Sequence, residues 1–357
     1  MNSKFRGTLL GVLIGDCCGA VFEGEVLDAG QKFVLRKFIN KLEGVSFTAP
    51  RQKYTDDTAM TKSVARCLLK YDEKSYQKNL AVDFVKEYCS STTSRGYGDG
   101  VQRLLVTLRK EKFEDLLGPA RNQFNGTGSF GNGAAMRISP VSLYCVNKSD
   151  DFLFDLVGKT SEITHANVIG INGAILQALA IREVLKLESD DLDVNNYVTN
   201  LLESFKKIEK GEDEFGIHEQ KFYTEQLEGM RKLLNKEILP SDEEVVNILG
   251  HSVNALYSVP TAIYCFLRNV NLLKGNREKL FRSTLEYAIC LGGDTDTIAS
   301  MACSLVGAFT GDSIIAKNLI KHCESSEEII ELSDKLYEIV FSEIFKKDLH
   351  LNDEKMN

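Results

Sequence analysis

The chain has 357 residues, of which 43% are apolar and 26% charged, and its formal net charge is −8. That is enough apolar chain for a large core, while the acidic balance excludes recognition of nucleic acid by charge alone. A polyanionic ligand would have to be met by backbone N–H groups or by metal ions.

Only five prolines occur, which favours helices, because proline breaks a helix interior. Lys4 and Arg6 precede a short apolar run, Leu9 to Ile14, as a signal peptide would begin. Gly11, Gly15 and Asp16 interrupt it, so it reads as the first core helix. Met60, Val64, Cys67, Leu68 and Tyr71 form one stripe of an amphipathic helix. Ile171 to Leu187 is apolar nearly all round, as a helix in the middle of a bundle is. Glu188 to Glu244 is more charged, yet Tyr197, Leu201, Leu202 and Phe205 keep helical spacing, so peripheral helices are expected. Ile298 to Phe309 is the longest apolar stretch and is too short for a bilayer, which needs about 20 residues. Ile329, Leu332, Leu336, Val340 and Ile344 form a last stripe, with Ser325 and Glu328 as a capping box ahead of it. Strand alternation is scarce and no composition break divides the chain. The expectation is one all-α domain over 1–348 with a frayed tail at 349–357. The nine cysteines are scattered without a CxxC pair, which points to buried, inert thiols in a reducing compartment.

Three acidic segments stand out: Gly15-Asp16-Cys17-Cys18-Gly19 running to Glu23, Tyr54-Thr55-Asp56-Asp57-Thr58, and Gly292-Gly293-Asp294-Thr295-Asp296-Thr297. The last two sit directly before apolar helices. Taken alone, Asp57 and Asp296 read as N-caps. One cap needs one oxygen, however, and these segments offer several hard oxygens of the kind Mg²⁺ prefers. Two carboxylates about 4 Å apart repel by about 4 kcal/mol at an effective dielectric near 20. If Glu23, Asp56, Asp57, Asp294 and Asp296 converge, two divalent ions would bring the balance close to neutral.

Gly126-Thr127-Gly128-Ser129-Phe130-Gly131 matches G-x-G-x-x-G. No apolar strand precedes it, as a dinucleotide fingerprint requires, and the downstream kinase segments are missing. What remains is a loop rich in backbone N–H groups, able to wrap a pyrophosphate, or else an ordinary connection. Arg95-Gly96-Tyr97-Gly98-Asp99-Gly100 has the same character. His165 opens an apolar helix and by itself reads first as a structural residue.

Together, in this order, Gly-Asp-x-x-Gly…Glu, Tyr-Thr-Asp-Asp-Thr, Gly-Ser-Phe-Gly-Asn-Gly-Ala-x-Met-Arg, Thr-His and Gly-Gly-Asp-Thr-Asp-Thr resemble the ADP-ribosylglycohydrolase family. Within it the chain is most similar to the serine-type branch that also degrades poly(ADP-ribose). The resemblance implies a compact orthogonal helical bundle with a central cleft holding two Mg²⁺ ions, Mn²⁺ being a substitute. It implies metal ligands at Thr55, Asp56, Asp57, Asp294, Asp296 and Thr297, with Glu23 as a mobile acid closing over them. Proton transfer would fall to Glu23, Asp56 or Asp57. Phe124 and Phe130 resemble adenine-facing aromatics, the latter where relatives often carry Tyr. Gly128, Ser129, Gly131 and Asn132 resemble phosphate and ribose contacts, Gly96, Gly98 and Gly100 line the cleft, and His165 resembles a ribose contact. ADP-ribosylated proteins and poly(ADP-ribose) are the implied partners of a monomer that engages neither membrane nor nucleic acid. Cytosol, nucleus and mitochondrial matrix are the implied compartments. A catalytically silent ADP-ribose binder and a magnesium-dependent nucleotide phosphohydrolase are the rival readings.

Overall fold

The computed structural model describes residues 1–25, 27–46, 50–90, 94–187, 192–209 and 222–354, the side chains of 343–354 excepted. Within them every regular element is a helix, and no strand occurs. Two isolated bridges, Gln52 with Cys323 and Gly131 with Asn254, are the only extended pairings there.

The core is built on one pair of helices, Asn2–Gly19 and Thr295–Thr310. Their contact is unusually close because the first helix carries glycine at 7, 11, 15 and 19, one residue per turn on one face. A β-carbon at Gly11 would stand 2.2 Å from the Cys303 carbonyl oxygen, and one at Gly15 2.4 Å from that of Ala299. Gly7 faces Gly307 while Gly19 faces Asp296, so the two helices run antiparallel. Gly11 and Gly15, which interrupt the first apolar run, are therefore part of the packing surface itself. Leu280–Cys290, Ala255–Leu272, Val168–Leu185 and the long Ser326–Glu354 helix pack around the pair.

Val168–Leu185 is longer than Ile298–Phe309 and has the length and composition of a membrane span, but 72% of it is buried inside the protein. Its all-round apolar surface is met by neighbouring helices. The charged stretch 188–244 supplies Val194–Ile208, Phe222–Leu234 and the start of Asp242–Leu249; residues 188–191 and 210–221 of it lie outside the described residues. The helix expected around Met60 spans Asp56–Leu68, so Tyr71 lies beyond its end, packed against the core.

The capping box expected at Ser325 is not formed. Ser325 has φ +60°, whereas an N-cap is extended, and Glu328 pairs with Lys62 and Arg66 instead. The last helix also continues to Glu354, through most of the stretch expected to fray. All nine cysteines are free, and most are buried, Cys89 being exposed.

Candidate functional site

The antiparallel pairing brings the C-terminal end of the first helix beside the N-terminus of Thr295–Thr310. The N-terminus of Asp56–Leu68 completes the corner. Asp56 and Asp57 lie in the first turn of one helix and Asp296 in the first turn of the other, where free N–H groups and the dipole favour carboxylates. The N-cap reading of Asp57 and Asp296 is corrected here. Thr55 is the cap residue of Asp56–Leu68, and Asp294 occupies the cap position of Thr295–Thr310 without making a side-chain cap bond. Both helices start earlier than the apolar pattern suggested, so the acids fall inside the first turn.

Carboxylate oxygens of Glu23, Asp294 and Asp296 lie within 4.8 Å of one another. Asp57 Oδ2 joins the group through hydroxyls, accepting from Thr297 at 3.2 Å and Thr55 at 3.4 Å. Its other oxygen, Oδ1, is buried with no partner. Burial, then neighbouring negative charge, pushes Asp57 and Asp296 well above the ordinary carboxylate range. Asp56 is pushed up to about 8 by burial, then by Asp16. Glu23, exposed on the turn after the first helix, is raised by partial burial and by Asp294. Among the described residues no Lys or Arg forms an ion pair with any of these acids. Unpaired buried carboxylates are costly unless cations compensate them. A donor set made only of carboxylate and hydroxyl oxygens, with one buried oxygen left without a partner, fits a hard divalent cation such as Mg²⁺.

Residues that the sequence reading did not assign hold this corner in place. Asp16 is fully buried and accepts from the Thr55 and Thr58 N–H groups at 2.9 and 3.0 Å and from the Thr58 hydroxyl at 2.5 Å. Burial raises it to about 6, with those hydrogen bonds acting the other way. Arg95 grips Glu324 with both guanidinium nitrogens, donates to the Tyr54 carbonyl at 2.8 Å and stacks on the Tyr54 ring at 3.7 Å. Its own carbonyl accepts from the Asp56 N–H at 2.7 Å. His251, which has no informative neighbours in sequence, bonds the Leu291 carbonyl through Nδ1, and its carbonyl accepts the Asp294 N–H at 2.9 Å. Gly292 and Gly293, at φ +74° and +73°, make that turn.

The glycine-rich segment forms one wall beside the acids. Asn132 Nδ2 donates to Asp294 at 2.5 Å and to the Ser258 hydroxyl at 3.1 Å. The Asn132 N–H and the Phe130 carbonyl pair with Val253 and Ala255, and the Gly131 N–H donates to the Ser129 hydroxyl. Gly128, at φ +72°, lies so near the Asn167 N–H that a β-carbon would sit 2.7 Å away. Asn167 and Gln123 tie the loop to the His165 turn through the Thr127 and Thr164 carbonyls. His165 is buried beneath Gly131 and Gly133. Phe124 and Phe130 are exposed, their ring centroids 5.3 Å apart, and Phe124 holds a left-handed backbone, a strain typical of ligand-binding loops. On the other side Gly96 lies over Asp56, where a β-carbon would stand 3.8 Å from its Oδ1. Gly98 precedes the Asp99–Lys110 helix and faces open space, and Gly100 faces the Gln123 side chain.

Residues 1–343 match the family model described as ADP-ribosylglycohydrolase. The chain belongs to the ADP-ribosylglycohydrolase family. Mouse ADP-ribosylhydrolase ARH3 is 38% identical over 351 residues, covering 94% of this chain and 92% of the relative. The human ARH3 is 36% identical over 353 residues, covering 94% and 93%. Such likeness over nearly the whole of both chains makes this protein an ADP-ribosyl hydrolase. A solved structure titled "ADP-ribosylglycohydrolase-related protein complex" has a TM-score of 0.66 at 20% identity, covering 95% of this chain and 98% of that one, and shares the fold.

Gly96 lies over Asp56 and Asn132 bonds Asp294, so both glycine-rich segments border the acids, while Phe124 and Phe130 are exposed. Asp16, Arg95, His251 and Ser258 act through the backbone or through other side chains. Asp16 stands inside the first motif and Arg95 opens the second glycine-rich segment, which are the sequence signals that could have found them.

Proposed function

We propose that this ADP-ribosyl hydrolase uses two Mg²⁺ ions to cleave the O-glycosidic bond between C1″ of ADP-ribose and serine on proteins. Poly(ADP-ribose) and O-linked ADP-ribose esters would be further substrates. The observation that carries the reading is the uncompensated acid corner at two helix N-termini, beside a loop of glycines and exposed aromatics. Thr55, Asp56, Asp57, Asp294, Asp296, Thr297 and Glu23 would hold the ions. When bound there, such ions would orient the ribose hydroxyls and lower the pKa of the attacking water.

The protein's own groups account for the rest. Cleavage builds oxocarbenium-like positive charge at C1″, which a floor of carboxylates stabilises. Asp57 is walled in and already accepts from Thr55 and Thr297, so it suits ligation better than proton transfer. Glu23, which is exposed, and Asp56, which is less buried than Asp57, are the better proton acceptors for water. The Ser129 and Phe130 N–H groups, which the loop's own bonds do not take up, would meet the pyrophosphate without basic side chains. Phe124 and Phe130 lie against each other, so adenine would stack on an outer face of the pair rather than between the rings.

The test is release from a serine-ADP-ribosylated peptide, with products separated by chromatography. Free ADP-ribose, formed with Mg²⁺ and abolished by EDTA, is expected. AMP plus ribose phosphate would make the protein a phosphohydrolase, and binding without turnover would make it a silent relative. Release from arginine-linked substrate alone would overturn the serine assignment.

A further inference from the structure

His165 lies at the end of a buried hydrogen-bond chain that has a direction. Its first member is Arg137, fully buried, which always donates. Arg137 donates to the Gly133 carbonyl at 2.8 Å, to the Thr160 carbonyl at 3.0 Å and to the Thr164 hydroxyl at 2.8 Å. It also lies over the Phe84 ring at 4.9 Å. Thr164 Oγ1 is in turn 2.7 Å from His165 Nδ1.

Thr164 has one hydroxyl proton. Its oxygen already accepts from Arg137, so a protonated Nδ1 would leave two donors facing that oxygen and the hydroxyl proton without a partner. The arrangement that satisfies every atom has Thr164 donating to Nδ1. A neutral imidazole with an accepting Nδ1 carries its proton on Nε2. Burial, then the Arg137 charge, lowers His165 to about 3, so the ring is neutral. Among the described residues no group bonds Nε2. The space around it is kept by glycine: β-carbons at Gly131 and Gly133 would stand 3.5 and 3.1 Å from that nitrogen.

We propose that Arg137 and Thr164 are positioning residues that lock His165 in the Nε2–H form, so that it presents one fixed hydrogen-bond donor to an acceptor oxygen of the ligand held by the Gly128–Asn132 loop. That the oxygen belongs to ADP-ribose rests on the function proposed above; the relay itself does not. A ring free to exchange tautomers would spend part of its time with a lone pair facing that oxygen, which repels where the donor attracts. The relay also gives Arg137 and Thr164 a role inside the motifs Gly133-Ala134-Ala135-Met136-Arg137 and Thr164-His165.

The experiment is two-bond ¹H–¹⁵N correlation spectroscopy on ¹⁵N-histidine-labelled full-length protein, in EDTA without ligand, with His165→Gln to assign the signal. Wild-type protein and Thr164→Ser should both show His165 as the Nε2–H tautomer alone. Thr164→Val, which keeps the shape and loses the hydroxyl, should give a tautomer mixture. ADP-ribose affinity measured by calorimetry in Mg²⁺ should fall about tenfold or more in Thr164→Val and recover in Thr164→Ser. A wild-type His165 carrying its proton on Nδ1 overturns the proposal even if Thr164→Val fails to fold, and so does a Thr164→Val protein with wild-type spectrum and affinity. A locked Nε2–H ring in a protein that does not bind ADP-ribose would uphold the relay and reject the proposed substrate.

Discussion

Asp57 separates the metal role from a purely structural one. It is not the cap of its helix, so Asp57→Asn removes no cap bond, and the Thr297 and Thr55 contacts can persist to the amide. What changes is one buried negative charge among several. In EDTA at neutral pH the variant should melt a few degrees higher than wild type, because a repelled carboxylate is gone. Its ADP-ribosyl release in Mg²⁺ should fall by about 100-fold or more, since charge stabilisation and metal-held water supply much of the rate. Asp296→Asn should behave alike. Calorimetry and the peptide assay run in parallel would expose either failure: a variant that melts lower in EDTA, or one that keeps full activity.

At the scale of elements, two contacts hold the acid corner. The glycine stripe of the first helix sets how near that helix comes to Thr295–Thr310. In an open helix Gly→Ala gains about 1 kcal/mol. At Gly11 the new methyl would meet carbonyl oxygen and other backbone at 2.2–2.7 Å, which no rotamer change can relieve. Overpacking of this kind costs about 1–3 kcal/mol, so Gly11→Ala should lose stability on balance in urea titration. A gain would mean that the helices can part without cost. The second contact is the Arg95 clamp. Arg95→Lys keeps the charge but loses the paired bonds to Glu324 and the stacking on Tyr54, and lysine cannot imitate either. The Mg²⁺ concentration for half-maximal activity should rise about tenfold. Arg66, near the C-terminal end of Asp56–Leu68 and held by Asp83 and Glu87 of the Tyr76–Ser90 helix, is the control whose Lys variant should keep the wild-type midpoint.

For the whole molecule, the acid corner should make stability depend on metal and on pH together. Mg²⁺ at about 100 times its dissociation constant should add about 2.7 kcal/mol. Without metal, Asp16 titrates at about 6 and Asp56 at about 8, both above the value near 4 expected of an unfolded aspartate. A carboxyl raised by folding stabilises the native state below its unfolded pKa, and that contribution is lost as pH rises through the folded one. The metal-free protein should therefore be more stable at pH 5 than at pH 8. Mg²⁺ binds the ionised form and should flatten or reverse that trend. Melting curves at both pH values with EDTA and with Mg²⁺ check it; identical curves in the two media would remove the metal from the site.

Much of this protein is legible in its sequence because it is local. A period of 3.6 residues in Met60–Leu68 and Ile329–Val340 reflects which face meets the core, and scarce proline permits long helices. The hard-oxygen chemistry is local too, since Thr-Asp-Asp and Asp-Thr-Asp-Thr carry it in four residues, and the order of motifs carries the family. The tertiary structure decided what depends on partners distant in the chain. Asp57 meets Thr297, Asp294 meets Asn132 and His251, and Arg95 meets Glu324, pairings separated by tens to hundreds of residues that no spacing encodes. It also decided which end of a helix an acid occupies, because a helix boundary is set by where N–H groups find acceptors: Asp16, from another helix, takes up those of Thr55 and Thr58. The direction of the Arg137–Thr164–His165 chain is of the same kind. Thr164 and His165 each permit several hydrogen-bonding states, and only their packing against Arg137, which always donates, leaves one that satisfies every atom.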